Sequence, residues 1–298
     1  MHPKWQQQQG SALISALLIL SVGVTLATFL YLEQRLLTRQ TTLAVNADRM
    51  YAALQGVTEW GRESIKNNAD IQKVKSLQKN IENMQISGMI YALNGRFNIN
   101  CLQRSENISH FILLLENVLP KLNKAEAASL AFNIYAWFIS NDVVDKIYLR
   151  REPAYRAAHK KMTDISELRL VAGVTEQIYS RLLPYLVALP TDIYSVNVNY
   201  ASLPVLMSTN NFNQEQAKAL LQCRARQGFF NSIEDLVRRC ASEFELNTTA
   251  LTTDNNFYWI SAHAKLEDQQ TTLTTLLSLT RTHEKIYIKT IWQEINGE

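Results

Sequence analysis

The chain has 298 residues, 47% of them hydrophobic and 19% charged, with a net charge of +3. That composition excludes a disordered chain, and the charge is too small to point by itself to nucleic acid or an acidic substrate. Its length suits two domains and an anchor, and its three cysteines, Cys101, Cys223 and Cys240, lack the Cys-x-x-Cys spacing of a zinc or thioredoxin-type site.

The N-terminus sets the first expectation. A polar leader, residues 1–10, ends in Gln9-Gly10, and Ser11 to Leu32 then carries no Asp, Glu, Lys or Arg. As a helix rising ~1.5 Å per residue, that run reaches about 33 Å, enough to span a hydrocarbon core. An ordinary secretory signal calls for a shorter run closed by small residues, and Ser21 to Thr28 offers no clean Ala-x-Ala. A plain anchor explains the length but not the glycine at the junction. A prepilin-type signal explains both: a peptidase cuts between Gly10 and Ser11, and the apolar helix stays on the mature protein.

In this the chain resembles type IV pilins and type II secretion pseudopilins, most of which carry Glu at the fifth residue after the cut. Here that residue is Ser15. A carboxylate in lipid is costly without a partner. In those filaments the partner is the terminal amine of a neighbour, so the resemblance implies that nothing docks above this subunit. The K-type minor pseudopilins (the GspK family) are the branch that looks like this.

Beyond the apolar run, Leu36, Leu43, Ala47, Met50 or Tyr51, Leu54 and Val57 recur at helical spacing, predicting one helix from about Ser11 to about Ile65. Asn94-Gly95, between the β-prone runs Ile86–Leu93 and Arg96–Asn100, predicts a hairpin. Helical periodicity follows from Cys101 to about Phe244, with N-cap signals at Asn123 and at Asn231-Ser232. Cys223 and Cys240 fall in this region and could pair in an exported protein, or be buried as small hydrophobes. Three strands are predicted last: Phe257–Leu266, Thr271–Thr282 and Lys285–Trp292.

Three strings in the helical block resemble the K-type family in the same order: Asp164-Ile165-Ser166-Glu167-Leu168, Asn197-Val198-Asn199-Tyr200-Ala201-Ser202 and Gly228-Phe229-Phe230-Asn231-Ser232-Ile233-Glu234-Asp235-Leu236. The resemblance implies an α+β protein: a long N-terminal helix, transmembrane in its first half, packed on a small antiparallel sheet of pilin type, with a large all-α SAM-like or helix-hairpin-helix insertion between strands. It divides the chain into a leader (1–10), a transmembrane part (11–32), spine helix and hairpin (33–100), inserted helical domain (101–245) and closing strands (246–298).

Helix-hairpin-helix units also bind DNA phosphates through a Gly-hydrophobic-Gly turn. A membrane-anchored DNA-binding protein of competence type is therefore the rival reading. Here the first turn, Ala172-Gly173-Val174-Thr175, has one glycine, and acids lie among Lys218, Arg224, Arg226, Arg238 and Arg239. No nucleic acid is expected.

Catalysis has no motif to stand on: His2, His110, His159, His263 and His283 are dispersed, and neither a nucleophile elbow nor a phosphate loop occurs. No enzyme, no small-molecule substrate and no cofactor are expected. The family resemblance implies a calcium loop where this chain has Asp142 and Asp145 without the richer acidic run, so that site is expected weakened or lost. The expected role is a minor pseudopilin of the bacterial inner membrane with a periplasmic body. It would meet prepilin peptidase, other minor pseudopilins and the pseudopilus shaft, starting or capping a filament that exports folded proteins across the outer membrane.

Overall fold

A computed structural model of the chain describes residues 9–67, 76–139, 142–209, 212–240, 248–282 and 285–297. It begins with one unbroken helix, α1 (Gln9–Asn67). The hairpin β1 (Ser76–Ile81) and β2 (Met84–Ala92) follows, then the short β3 (Phe97–Asn98). Next come α2 (Ile108–Val118), α3 (Lys124–Phe138), α4 (Asp142–Leu149), a 3-10 helix (Ile165–Leu170), α5 (Glu176–Leu182) and the short β4 (Leu186–Val187). After β5 (Val196–Asn197) the chain runs through α6 (Leu203–Ser208), α7 (Gln214–Gln227), α8 (Ile233–Cys240) and β6 (Leu251–Thr252). It closes with β7 (Phe257–Leu266), β8 (Gln269–Arg281) and β9 (Ile286–Gly297).

The main sheet has the order β1-β2-β7-β8-β9 and every pairing in it is antiparallel. Since β2 and β7 are neighbours, residues 93–256 form one insertion between adjacent strands. The second half of α1 lies across one face. Met50, Leu54 and Val57 bury against Met84, Ile86, Ala262, Ala264 and Leu273, and Ile65 against Ile90, Tyr258, Ile260 and Leu277. Each such aliphatic side chain taken out of water contributes roughly 2 kcal/mol. Helix and sheet approach closely because Gly88 has no side chain: a Cβ there would overlap the Val57 methyl Cγ1. The fold is the expected α+β arrangement, with strand limits within a few residues of the sequence reading except that β9 runs on to Gly297. A register shift opposite Leu276 and Leu277 lets Ile286 and Ile288 pack toward α1 while Trp292 turns to the opposite face.

The expected hairpin at Asn94-Gly95 is corrected. The sheet's hairpin turns at Glu82-Asn83 instead, between Ile81 and Met84. Its first strand is largely exposed and so lacks apolar alternation, which hid it from the sequence reading. Asn94-Gly95 is the exit from the sheet. The Asn94 side-chain oxygen accepts from the backbone N–H groups of Asn256 and Phe257, both 3.1 Å away, tying the two mouths of the insertion together. A Cβ on Gly95 would come within 2.6 Å of the Tyr200 carbonyl carbon. Phe97 then leaves the sheet for the insertion core, and β3 pairs in parallel with β4.

The insertion is two similar halves. Each opens on an Asn-x-Asn strand that pairs in parallel with a strand at the end of its own half: β3 with β4, β5 with β6. In the first, Asn98 accepts from Asn100 N and Leu189 N, and Asn100 brackets Met162, taking its N–H at 2.8 Å and donating to its carbonyl at 2.9 Å. In the second, Asn197 accepts from Asn199 N, and Asn199 brackets Phe230 with the same two bonds at the same two distances. All four asparagines are buried. Two residues beyond each bracketed backbone stands a helix cap, Asp164 or Ser232. The second and third family-like strings of the sequence therefore meet in one polar clamp, and the first begins with the cap that stands two residues beyond the other.

Candidate functional site

The first surface to consider is the free half of α1. From Ala12 to Leu32 every residue is exposed, including Leu13, Ile14, Leu17, Leu18, Phe29 and Leu30, with a mean hydropathy of 2.4 over the most apolar stretch. Ser21, Thr25 and Thr28 turn their hydroxyls back onto the helix, donating to the carbonyls of Leu18, Ser21 and Val24 at 2.8 Å. These polar groups are satisfied internally, as an apolar surround requires. Gly10 falls on the backbone of the first helical turn, and the leader residues 1–8 lie outside the described residues, as does the side chain of Ser11. Ser15 is on the exposed helix surface, a hydroxyl where a pilin would carry a carboxylate.

In the head, several of the groups that the rival reading would use are engaged within the fold. The glycine of the first hairpin turn, Gly173, has φ +87°, the left-handed geometry that favours glycine, and is exposed; the Ala172 carbonyl beside it is taken by Asn133 of α3, which donates to it at 3.2 Å. Arg224 is spent inside, donating to the Val198 and Ala201 carbonyls at 2.8 and 2.9 Å. Arg239 donates to the Phe229 and Gln227 carbonyls and pairs with Asp235, as does Arg238. Two of the five cations of that reading, Arg224 and Arg239, thus serve the fold, while Arg238 keeps its pair with Asp235 at the surface.

Other nominated side chains are dispersed. His110 meets the Ser208 carbonyl and stacks on Tyr194, His263 meets Thr272 across strands, and His283 is outside the described residues. Asp145 accepts from His159 Nε2 at 3.0 Å and from Ala157 N at 3.3 Å, while His159 Nδ1 reaches the Ile139 carbonyl at 2.6 Å. The Asp142 side chain is outside the described residues, and among those described no group of three potential metal ligands assembles. Cys223 and Cys240 are joined as a disulfide between α7 and α8, which settles the pairing that the sequence left open, and Cys101 is free and buried.

A feature the sequence did not nominate lies on the sheet face away from α1. There the insertion packs through Leu93, Val187 and Leu189 onto Leu276, leaving beside them a cleft of about 420 Å³. Tyr91, Trp259, Leu276 and Trp292 line it from the sheet, and Ile165, Leu183 and Pro184 from the insertion. Arg96 enters the same cleft half-buried, its guanidinium with no ion pair or hydrogen bond among the described residues. Desolvation lowers its pKa from the ordinary arginine value, opposed by Tyr91. The indole Nε1 of Trp292 is shut off from solvent with no acceptor. An arginine just after a Gly turn, followed far along the chain by two strand tryptophans, is the only trace in the sequence; which faces converge there depends on the topology.

Comparison with known proteins brings these features together. Two family models, both described as type II secretion system (T2SS), protein K, match residues 95–191 and 196–253, one for each half of the insertion. The chain is 30% identical over 258 residues to the type II secretion system protein K of Pectobacterium carotovorum subsp. carotovorum, covering 75% of this chain and 77% of that one. It is 29% identical over 248 residues to the protein K of Pseudomonas aeruginosa, covering 74% of each. A crystal structure of the GspK-GspI-GspJ complex from enterotoxigenic Escherichia coli contains a chain of the same fold, with a TM-score of 0.64 at 18% identity over 86% of this chain and 96% of that one.

Proposed function

This chain belongs to the type II secretion system protein K family, and on that premise we propose that it is a minor pseudopilin at the tip of the pseudopilus, where it starts and caps the filament. The observation that carries the reading is α1, a single helix whose first half is wholly exposed and apolar while its second half is packed on the sheet. Such a helix can leave a bilayer and enter a filament without refolding. Its hydrocarbon span fits an inner membrane, with the disulfide-bonded body on the oxidising periplasmic side.

Cleavage after Gly10 would free the Ser11 amine. With Ser15 in place of a carboxylate, the subunit offers no acid to the amine of a neighbour above it, which suits the end of a filament. Residues 93–256 make the head bulky at the point where a shaft subunit must be slim. The related chain in the Escherichia coli structure is found with GspI and GspJ, and we take their counterparts as this protein's neighbours. The reading requires neither a cofactor nor a catalytic group.

The test is N-terminal mass analysis of the membrane-bound protein, made with and without a prepilin peptidase. Loss of residues 1–10, with residues 11–32 retained, is the expected result. A protein intact at Met1, or one released without its apolar helix, overturns the proposal.

A further inference from the structure

The cleft between sheet and insertion contains an unmet hydrogen-bonding group in an apolar surround. Tyr91, Trp259, Leu276, Leu183, Pro184 and Trp292 supply the apolar lining, and within it stands a donor-only group without an acceptor, the Arg96 guanidinium. A half-buried cation without a counter-charge loses hydration and gains nothing in return, unless something else supplies an acceptor. At the rim lie Thr163 and Asp164. The Asp164 carboxylate accepts from Ser166 N as a helix cap but keeps lone pairs to spare.

From this arrangement we infer that the cleft is a docking site for a peptide segment of a partner protein, one that sets a carboxylate beside a large apolar side chain. The carboxylate would meet Arg96 in a charge-assisted pair, the apolar side chain would lie against Trp259 and Leu183, and peptide N–H groups would face Asp164 and Thr163. The mixed rim decides between occupants. A fatty acid satisfies Arg96 but has no donor for Asp164, whereas a peptide has both signs of hydrogen-bonding group. The cavity volume of about 420 Å³ holds one or two large side chains and no folded element. The inference does not depend on the place of the protein in a filament.

The experiment uses the full chain in detergent and a photoreactive probe, acetyl-Leu-Glu-Bpa-amide, where Bpa is p-benzoylphenylalanine, with adducts mapped by mass spectrometry. Adducts on peptides containing Tyr91, Leu183–Ala188, Trp259 or Trp292 are expected. Labelling should fall about tenfold when Gln replaces the probe's Glu, and again for Arg96→Met, while Arg96→Lys retains part of it. Arg96 has no partner to lose, so the Met variant should keep its thermal midpoint. Ser261→Trp, filling the floor of the cleft, should block labelling independently of charge. Adducts elsewhere, or equal labelling by the Glu and Gln probes, would overturn the inference. So would full displacement by equimolar dodecanoate, which would assign the cleft to a lipid.

Discussion

Asn100 holds Met162 through both ends of its amide, and Asn199 holds Phe230 in the same way, yet the material around the two clamps differs. The first half of the insertion adds α2, α3 and α4 and with them Phe111, Leu114, Trp137 and Tyr148, all buried in one cluster with Phe97. Its cysteine, Cys101, sits in that cluster as a free thiol. The second half is shorter and joins α7 to α8 through Cys223–Cys240. A small fold buries a smaller share of its surface and leans on cross-links. The comparison teaches that the asparagine pair sets the topology of each half, while both halves share one apolar core, to which the first adds more bulk and the second, through Leu206, Phe212, Leu220 and Phe230, less bulk and a disulfide.

Removing a clamp should have the largest effect. Asn100→Ala strands the Met162 N–H and the carbonyls of Met162 and Leu189, all within a fully buried site, and should cost about 4 kcal/mol. Asn199→Ala strands only the two backbone groups of Phe230 and should cost less, about 3 kcal/mol. Denaturant unfolding of the full chain in detergent measures the totals, and hydrogen exchange locates them. Each variant should open its own half first. Exchange that spreads equally through both halves for either variant would show that they fold as one unit and break the comparison.

Next in size is the cross-link. Cys223→Ser with Cys240→Ser releases a 17-residue separation, and chain entropy puts the loss at about 3 kcal/mol. The change should fall on α7 and α8 and leave α2 and α3 as protected as before. Burial pushes the Cys101 thiol up, away from the reactive thiolate. In the native protein iodoacetamide should therefore label no cysteine; after reduction it should label Cys223 and Cys240 well before Cys101. Early labelling of Cys101 would mean that the first half opens as readily as the second.

Much of this was legible in the residues themselves. The uncharged run from Ser11 to Leu32 and the later spacing of Met50, Leu54 and Val57 define α1, because a helix face repeats every three or four positions whatever it packs on. Strand patterns gave β7, β8 and most of β9. Asn123 and its Glu126 form the reciprocal cap that their spacing predicts. What failed was any inference in which a local signal met a distant constraint. Asn94-Gly95 has the composition of a hairpin turn, but its geometry is set by Tyr200 and by Asn256 and Phe257, far along the chain. The family-like strings could be read as motifs, whereas their work as clamps depends on which backbone each asparagine reaches. The cleft was invisible for the same reason: Arg96, Trp259 and Trp292 have nothing in common until the insertion folds back over the sheet.

The smallest expected effect concerns the loop that joins the two halves. Asp192 lies between β4 and β5 and accepts from Arg104 Nε at 2.8 Å, with Lys161 Nζ at 3.4 Å. The Arg104 hydrogen bond is the main reason its carboxyl is held down at about 2, below the ordinary 3.8. A carboxylate with a depressed folded-state pKa stabilises the fold above its unfolded value and ceases to do so as pH falls through the folded one. The thermal midpoint of the native chain should therefore exceed that of Asp192→Asn at neutral pH, and the gap should close between about pH 4 and pH 2. The acid is 34% exposed and Arg104 52%, so the gap should be small and shrink in ~1 M salt, where the Debye length is only about 3 Å. A gap that survives salt would instead assign the effect to the backbone of this loop, where Asn98 donates to the Thr191 carbonyl at 2.7 Å, and would make the joint between the halves a third part of the first clamp.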